Sequence, residues 1–192
     1  GDTVLVEQGI YIENLVLQKT ITLTSRAIFD DLSGWIGYED EFVVLNDHIT
    51  GTIIDGSGDT NGEDWESTIL INSPGDECIE PLIFGFTITG GSGTVLEFEV
   101  AGADGQREVI PRNIGGGFLS VSALPRFQYN AIIDNQADEG EDQEIYSAGG
   151  GEQGSGGGFP SSSAPPNFIF NSTRLECVGG VDFSSNLWRD ND

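Results

Sequence analysis

Two motifs recur in this chain at a single spacing. Gly115-Gly-Gly-Phe118 returns as Gly156-Gly-Gly-Phe159, and Phe127-Gln-Tyr-Asn130 returns as Phe168-Ile-Phe-Asn171. Both offsets, 156 − 115 and 168 − 127, equal 41. Self-similarity at a fixed period marks stacked units, each of which can bury its apolar face only against its neighbours. The segments between the glycines say which unit. Thr52-Ile-Ile-Asp-Gly56, Phe86-Thr-Ile-Thr-Gly90 and Ala131-Ile-Ile-Asp-Asn135 are short, β-branched or aromatic, and end in residues that tolerate positive φ. No window keeps the i, i+3, i+4, i+7 apolar pattern of an amphipathic helix. The expectation is an all-β chain of parallel strands coiled as a solenoid.

Further motifs carry a resemblance. Gly1-Asp-Thr-Val-Leu-Val-Glu-Gln-Gly-Ile-Tyr-Ile-Glu13, then Thr52 to Gly56 and Phe84-Gly-Phe-Thr-Ile-Thr-Gly-Gly91, resemble the opening rungs of right-handed parallel β-helix proteins of the pectate-lyase-like superfamily. The Gly-Gly-x-Phe and Phe-x-x-Asn pairs, with a third Phe-x-x-Asn at Phe183 to Asn186, resemble repeats of polymorphic outer-membrane and autotransporter passenger domains. The resemblance implies a right-handed parallel β-helix and leaves function open, since that fold hosts lyases, hydrolases, adhesins and inert spacers.

Length and charge bound the function. A chain of 192 residues can form one domain, residues 1–192, with a continuous core column. Thirty-two acidic against seven basic residues give a net charge of −25. Such a surface repels nucleic acid, whose phosphates call for Lys and Arg, and suits high ionic strength or divalent cations that screen self-repulsion. No apolar run reaches the roughly 18 residues of a membrane span. With no signal peptide and Gly1 in place of Met, the chain reads as a mature or trimmed product of a secreted or cell-surface protein. Cys78 and Cys177 fall in rungs several strand spacings apart, so two packed free thiols are expected; a bridge would need a loop that folds back.

Three insertions interrupt the period. Residues 26–47 bring Asp30-Asp31, Gly34-Trp-Ile-Gly37 and Glu39-Asp-Glu41; residues 94–113 read as a projecting β-hairpin; residues 136–155 hold the acidic run from Asp138 to Glu144. In the first rung Val4, Val6, Ile10 and Ile12, followed by Leu15, Leu17, Ile21 and Leu23, alternate with polar residues and should point inward. The C-terminal tail lacks a polar cap, so either more protein follows or the last rung stacks on a partner.

Candidate sites follow from residue type. Asp55, Ser57, Asp59, Asn61 and Glu66 occupy positions 1, 3, 5, 7 and 12 of a calcium-loop spacing, yet position 6 is Thr60 instead of Gly and flanking helices are missing, which leaves a looser calcium site against a solvated turn. Asp55 and Asp134 end equivalent strands and form the weak candidate for a catalytic carboxylate pair. Phe127, Asn130, Phe168 and Asn171 read as a structural ladder, with Asn amides bridging rungs and Phe filling the core. Trp35, Tyr38 and Trp65 could stack on sugar rings or anchor their loops. His48 stands without a second catalytic group nearby in sequence. The reading is a non-enzymatic, secreted or surface-displayed structural or adhesive module. It would bind calcium through acidic loops and stack on itself or a neighbouring segment through open terminal rungs. The alternative is a carbohydrate-active enzyme or polysaccharide-binding module.

Overall fold

A computed structural model of the chain describes residues 1–58, 65–74, 77–101, 107–121, 123–137, 168–170, 183 and 185–189. In chain order the elements are β1 (Asp2–Val6), β2 (Gly9–Ile12), β3 (Leu15–Leu17) and β4 (Ile21–Ser25); a 3-10 turn (Arg26–Phe29); β5 (Ile36–Tyr38) and β6 (Phe42–Val44); a one-turn helix α1 (Asp47–Thr50); then β7 (Thr52–Asp55), β8 (Trp65–Glu66) and β9 (Ile69–Asn72). There follow β10 (Leu82–Phe84), β11 (Thr87–Thr89), β12 (Gly93–Ala101), β13 (Arg107–Ile114), β14 (Phe118–Val121), β15 (Arg126–Gln128), β16 (Ala131–Ile133), β17 (Phe168–Phe170) and β18 (Leu187–Arg189).

Among the described residues three of the five sheets are parallel. The first runs β1-β4-β10-β15, the second β18-β16-β11-β7-β2 and the third β17-β14-β9-β3. The chain visits them in a fixed order. β1, β2 and β3 lie in the first, second and third sheets; β4, β7 and β9 repeat that sequence, as do β10, β11 and β14, and then β15, β16 and β17. Each such set is one layer. The remaining sheets are antiparallel: β5-β6, and β13-β12-β8, in which Gly93 and Thr94 pair with Glu66 and Trp65.

Several expectations are corrected. The strands form several small sheets, none solenoid-like in itself, which does not carry the resemblance to the pectate-lyase-like superfamily or to passenger domains. Nor is the 41-residue offset the structural spacing. Arg126 lies opposite Leu82, Phe118 opposite Ile69 and Leu187 opposite Ala131, offsets of 126 − 82 = 44, 118 − 69 = 49 and 187 − 131 = 56. Turn length varies while strands stay three to five residues long in these sheets, because lengthening a surface loop costs little closure entropy. Phe127 and Phe168 therefore fall in different sheets, opposite Ile83 and Leu119 respectively.

Parallel pairing in register stacks like on like. Leu23, Ile83 and Phe127 form one column, Ile54, Ile88 and Ile132 a second, and Ile69 with Phe118 a third; all are buried in one core. Burying each such side chain stabilises the fold by about 1.5–3 kcal/mol. The column turns aromatic towards its later layers. Phe118 stacks on Phe127 at 4.3 Å between ring centres, and Phe183 covers both at 5.6 and 5.7 Å. A second core lies on the outer face, where Ala27, Trp35 and Ile49 from the 26–47 insertion and its flank pack against Ala131.

In the first layer three residues expected to be inward and covered are exposed. Val4 shares the column of Leu23 yet is 45% exposed, since β1 is the outermost described strand of its sheet. Ile10 and Ile12, 66% and 64% exposed, flank Tyr11, and it is Tyr11 that sits opposite buried Ile54. The free-thiol expectation also fails: Cys78 is disulfide-bonded. It lies on the turn between β9 and β10, outside the strand ladders whose spacing argued against a bridge; Cys177 lies outside the described residues.

Candidate functional site

The corners between the second and third sheets gather much of the polar chemistry. Asp55 closes β7, and its Oδ1 accepts the Ser57 N–H at 2.9 Å. The next layer turns at Gly90, φ +74°, where a Cβ would strike Asp55 Oδ1; only glycine fits. Glu66, exposed on β8, accepts the Ser92 hydroxyl at 2.6 Å. Of the five calcium candidates, Asp55, Ser57 and Glu66 thus border the Gly90–Ser92 turn, while Asp59 and Asn61 lie outside the described residues. Among the described residues no group of three or more His, Cys, Asp or Glu is arranged to hold a metal ion.

Asp55 and Asp134 end strands that have one strand between them. Asp55 lies opposite Thr89, whereas the Asp134 backbone carbonyl accepts the Gly90 N–H at 3.1 Å, one residue further along. Strand β11 stands between β7 and β16, so two strand spacings, about 9.6 Å, separate the two backbones. That spacing is at the upper limit for an inverting pair, as expected with one intervening rung, and the two backbones are one residue out of step.

Asparagine corners tie the layers. Asn130 is fully buried; its Oδ1 accepts the Phe86 N–H at 3.0 Å, and its Nδ2 donates to Ile83 O at 3.0 Å and Gln128 O at 3.1 Å. Five residues on, Asn135 repeats the scheme: Oδ1 accepts the Gly91 N–H at 3.1 Å, and Nδ2 donates to Ile88 O at 3.1 Å and Ile133 O at 2.9 Å. Left-handed residues precede both, Tyr129 at φ 57° and Asp134 at φ 53°. Asn186, after Ser185 at φ 59°, continues the first ladder: its Oδ1 accepts the Asn130 N–H at 3.0 Å, and its Nδ2 donates to Phe127 O at 2.7 Å. The ladder partner of Asn130 is thus Asn186, and Asn171 lies outside the described residues, as do the side-chain contacts of Phe168. Sequence reasoning missed Asn135. The signal was available, because Tyr129-Asn130 and Asp134-Asn135 both follow strand ends with the same αL-then-Asn chemistry.

The aromatic candidates divide. Trp35 is 8% exposed and meets Tyr129 edge-on at 5.8 Å, anchoring its insertion. Tyr38 is 69% exposed, edge-on to Phe42 at 5.2 Å, and Trp65 is 40% exposed. His48 has a structural setting. Its Nδ1 lies 2.7 Å from Asp30 Oδ2, which also accepts from Asn46 Nδ2 at 2.8 Å, while Asn46 Oδ1 caps α1 through the Ile49 N–H at 3.0 Å. The Asn46 bond first, and then that of His48, hold the Asp30 carboxyl below its ordinary range. Arg26 grips Glu7 at 2.6 Å, tying the insertion back to the first layer.

The first layer presents exposed apolar side chains on edge strands. β1, β2 and β3 are each outermost in their sheet among the described strands, and Val4, Leu5, Ile10, Ile12 and Val16 are 40–66% exposed. Among the described residues no helix is long and apolar enough to cross a membrane. No protein-family model, no curated protein and no solved structure matches this chain. The family resemblance carried by the opening motifs and by the Phe-x-x-Asn pairs is accordingly withdrawn.

Proposed function

We propose that this chain is a non-enzymatic structural or adhesive module, secreted or displayed at a cell surface. In this reading the three parallel ladders, passed through in fixed order, coil into one stiff β column. The observation that carries it is the pair of Asn corners: Asn130 and Asn135 spend their amides on bonds between neighbouring layers, with identical partners by position. Buried, fully bonded amides rigidify what they join. The disulfide at Cys78 supports an oxidising compartment. A charge of −25 favours divalent cations over nucleic acid as partners, with calcium at the acidic corner of Asp55 and Glu66 the expected case.

A polysaccharide-binding role is the second reading, favoured by the exposed Tyr38–Phe42 pair, whose rings present faces of the kind that stack on sugars. Incubating the purified chain with a polysaccharide panel, with and without calcium, tests the first reading. No new reducing ends are expected. Cleavage that disappears in Asp55→Asn or Asp134→Asn would overturn it.

A further inference from the structure

The first layer offers three strand edges side by side. β1, β2 and β3 are consecutive in the chain, and each is outermost among the described strands of one of the three parallel sheets. An open edge is a row of unpaired N–H and C=O groups that templates another strand, and natural proteins usually blunt it with charge, proline or a covering segment. Here the edge is apolar instead. Ile10 and Ile12 on β2 are 66% and 64% exposed, with Val4, Leu5 and Val16 between 40% and 45% on the strands beside it.

We propose that β2 at this end receives β18 of a second copy of the chain, so that molecules join head to tail with the parallel ladder of the second sheet continued. The inference rests on the structural-module reading above. The occupant follows from the register. In the second sheet one column runs Leu187, Ala131, Thr87, Ile53, Ile10, and the next runs Trp188, Ile132, Ile88, Ile54, Tyr11. β18 and β2 are the two outermost described strands of that sheet and run in the same direction. A second copy translated along the column therefore sets its Leu187 on Ile10 and its Trp188 on Tyr11, apolar on apolar and aromatic on aromatic. A head-to-head copy would bring β2 against β2 antiparallel and end as a closed dimer, whereas the head-to-tail joint is heterologous and continues. Repulsion between chains of charge −25 opposes contact in dilute salt. The screening length shrinks from about 10 Å at 0.1 M to about 3 Å at 1 M salt, so the repulsion weakens and association strengthens as salt rises.

Sedimentation velocity and negative-stain electron microscopy of the full chain across rising NaCl test this. Rods that lengthen with concentration and salt are expected. The double variant Ile10→Lys with Ile12→Lys alters only exposed side chains and should associate at least tenfold more weakly, while Val95→Lys, exposed on β12 away from the first layer, should associate like the parent. Register is read by mild oxidation. Ile10→Cys mixed with Leu187→Cys should give a crosslinked dimer that neither variant forms alone. Monomers at every salt concentration, an Ile10→Cys homodimer, or undiminished association of the double-lysine variant would each overturn the proposal. Monomers that cleave no polysaccharide would remove this joint and leave the structural module standing, whereas cleavage would remove the module reading itself.

Discussion

Layers built from the same residue types behave differently according to what lies on either side of them. In the first layer Val4, Tyr11 and Leu15 face inward, yet Val4 is 45% exposed and the other two are half-buried. Two layers on, Ile83, Ile88 and Phe118 in the same columns are fully buried. The contrast extends to polar ties. Asn14 in the first layer donates to Ser67 O at 3.0 Å and Gly56 O at 3.3 Å, whereas Asn130 and Asn135 also accept from a neighbouring layer's backbone N–H. Burial in these parallel sheets is thus set by a strand's position among the described strands of its sheet as much as by side-chain chemistry.

The largest effect should come from the aromatic column. Phe127→Ala is expected to cost about 3–5 kcal/mol in urea unfolding, through lost transfer energy and the cavity left against Phe118 and Phe183. Val4→Ala, in the same column at the open end, should cost less than about 1 kcal/mol, since much of its surface is already wet. Equal losses would break the comparison. Next come the corners. Asn130→Ala or Asn135→Ala strands buried backbone groups in the neighbouring layer and should cost about 2–3 kcal/mol each, against about 1 kcal/mol for Asn14→Ala.

A smaller, pH-dependent term sits in the 26–50 segment. Folding lowers the Asp30 pKa through Asn46 and His48, so its contribution is fully present above the ordinary carboxyl value of 3.8 and is lost as pH falls through the lower folded value. Thermal melts between pH 6 and pH 2 should show a steeper acid-side loss for the parent than for Asp30→Asn; parallel curves would remove the Asp30 cluster from the account. The smallest change is Ser120→Ala. The buried Ser120 Oγ has no hydrogen-bond partner among the described residues, so removing it should be neutral or stabilising by up to about 1 kcal/mol.

The strands were legible where chemistry is local. Thr52-Ile-Ile-Asp and Ala131-Ile-Ile announce β7 and β16 through β-branching, and Val95 to Val100 announces β12 through alternation. Register was not legible. The 41-residue offset matched motifs, but turns of unequal length set the pairing, so Asn130 meets Asn186 and Phe168 joins another sheet. Alternation placed Ile10 and Ile12 inward because a period of two cannot say which face is covered, and the Tyr11–Ile54 pairing reverses the choice. The Cys78 bridge escaped because the distance argument counted rung spacings, whereas Cys78 lies in the connection between β9 and β10. At the corner of Asp55, acidic spacing was visible, but the glycine that lets Gly90 close over it belongs to the next layer and could be matched only once the strands were paired.

Hydrogen exchange read by mass spectrometry, in dilute low-salt solution and again at high salt and high concentration, addresses the central claim directly. In dilute solution β1, β2 and β3 should exchange well ahead of β10, β11, β14 and β16, and at high salt and concentration the same three strands should gain protection while the inner layers stay unchanged. A first layer as protected at dilution as the inner ones, or one that gains nothing under the associating condition, would contradict the account.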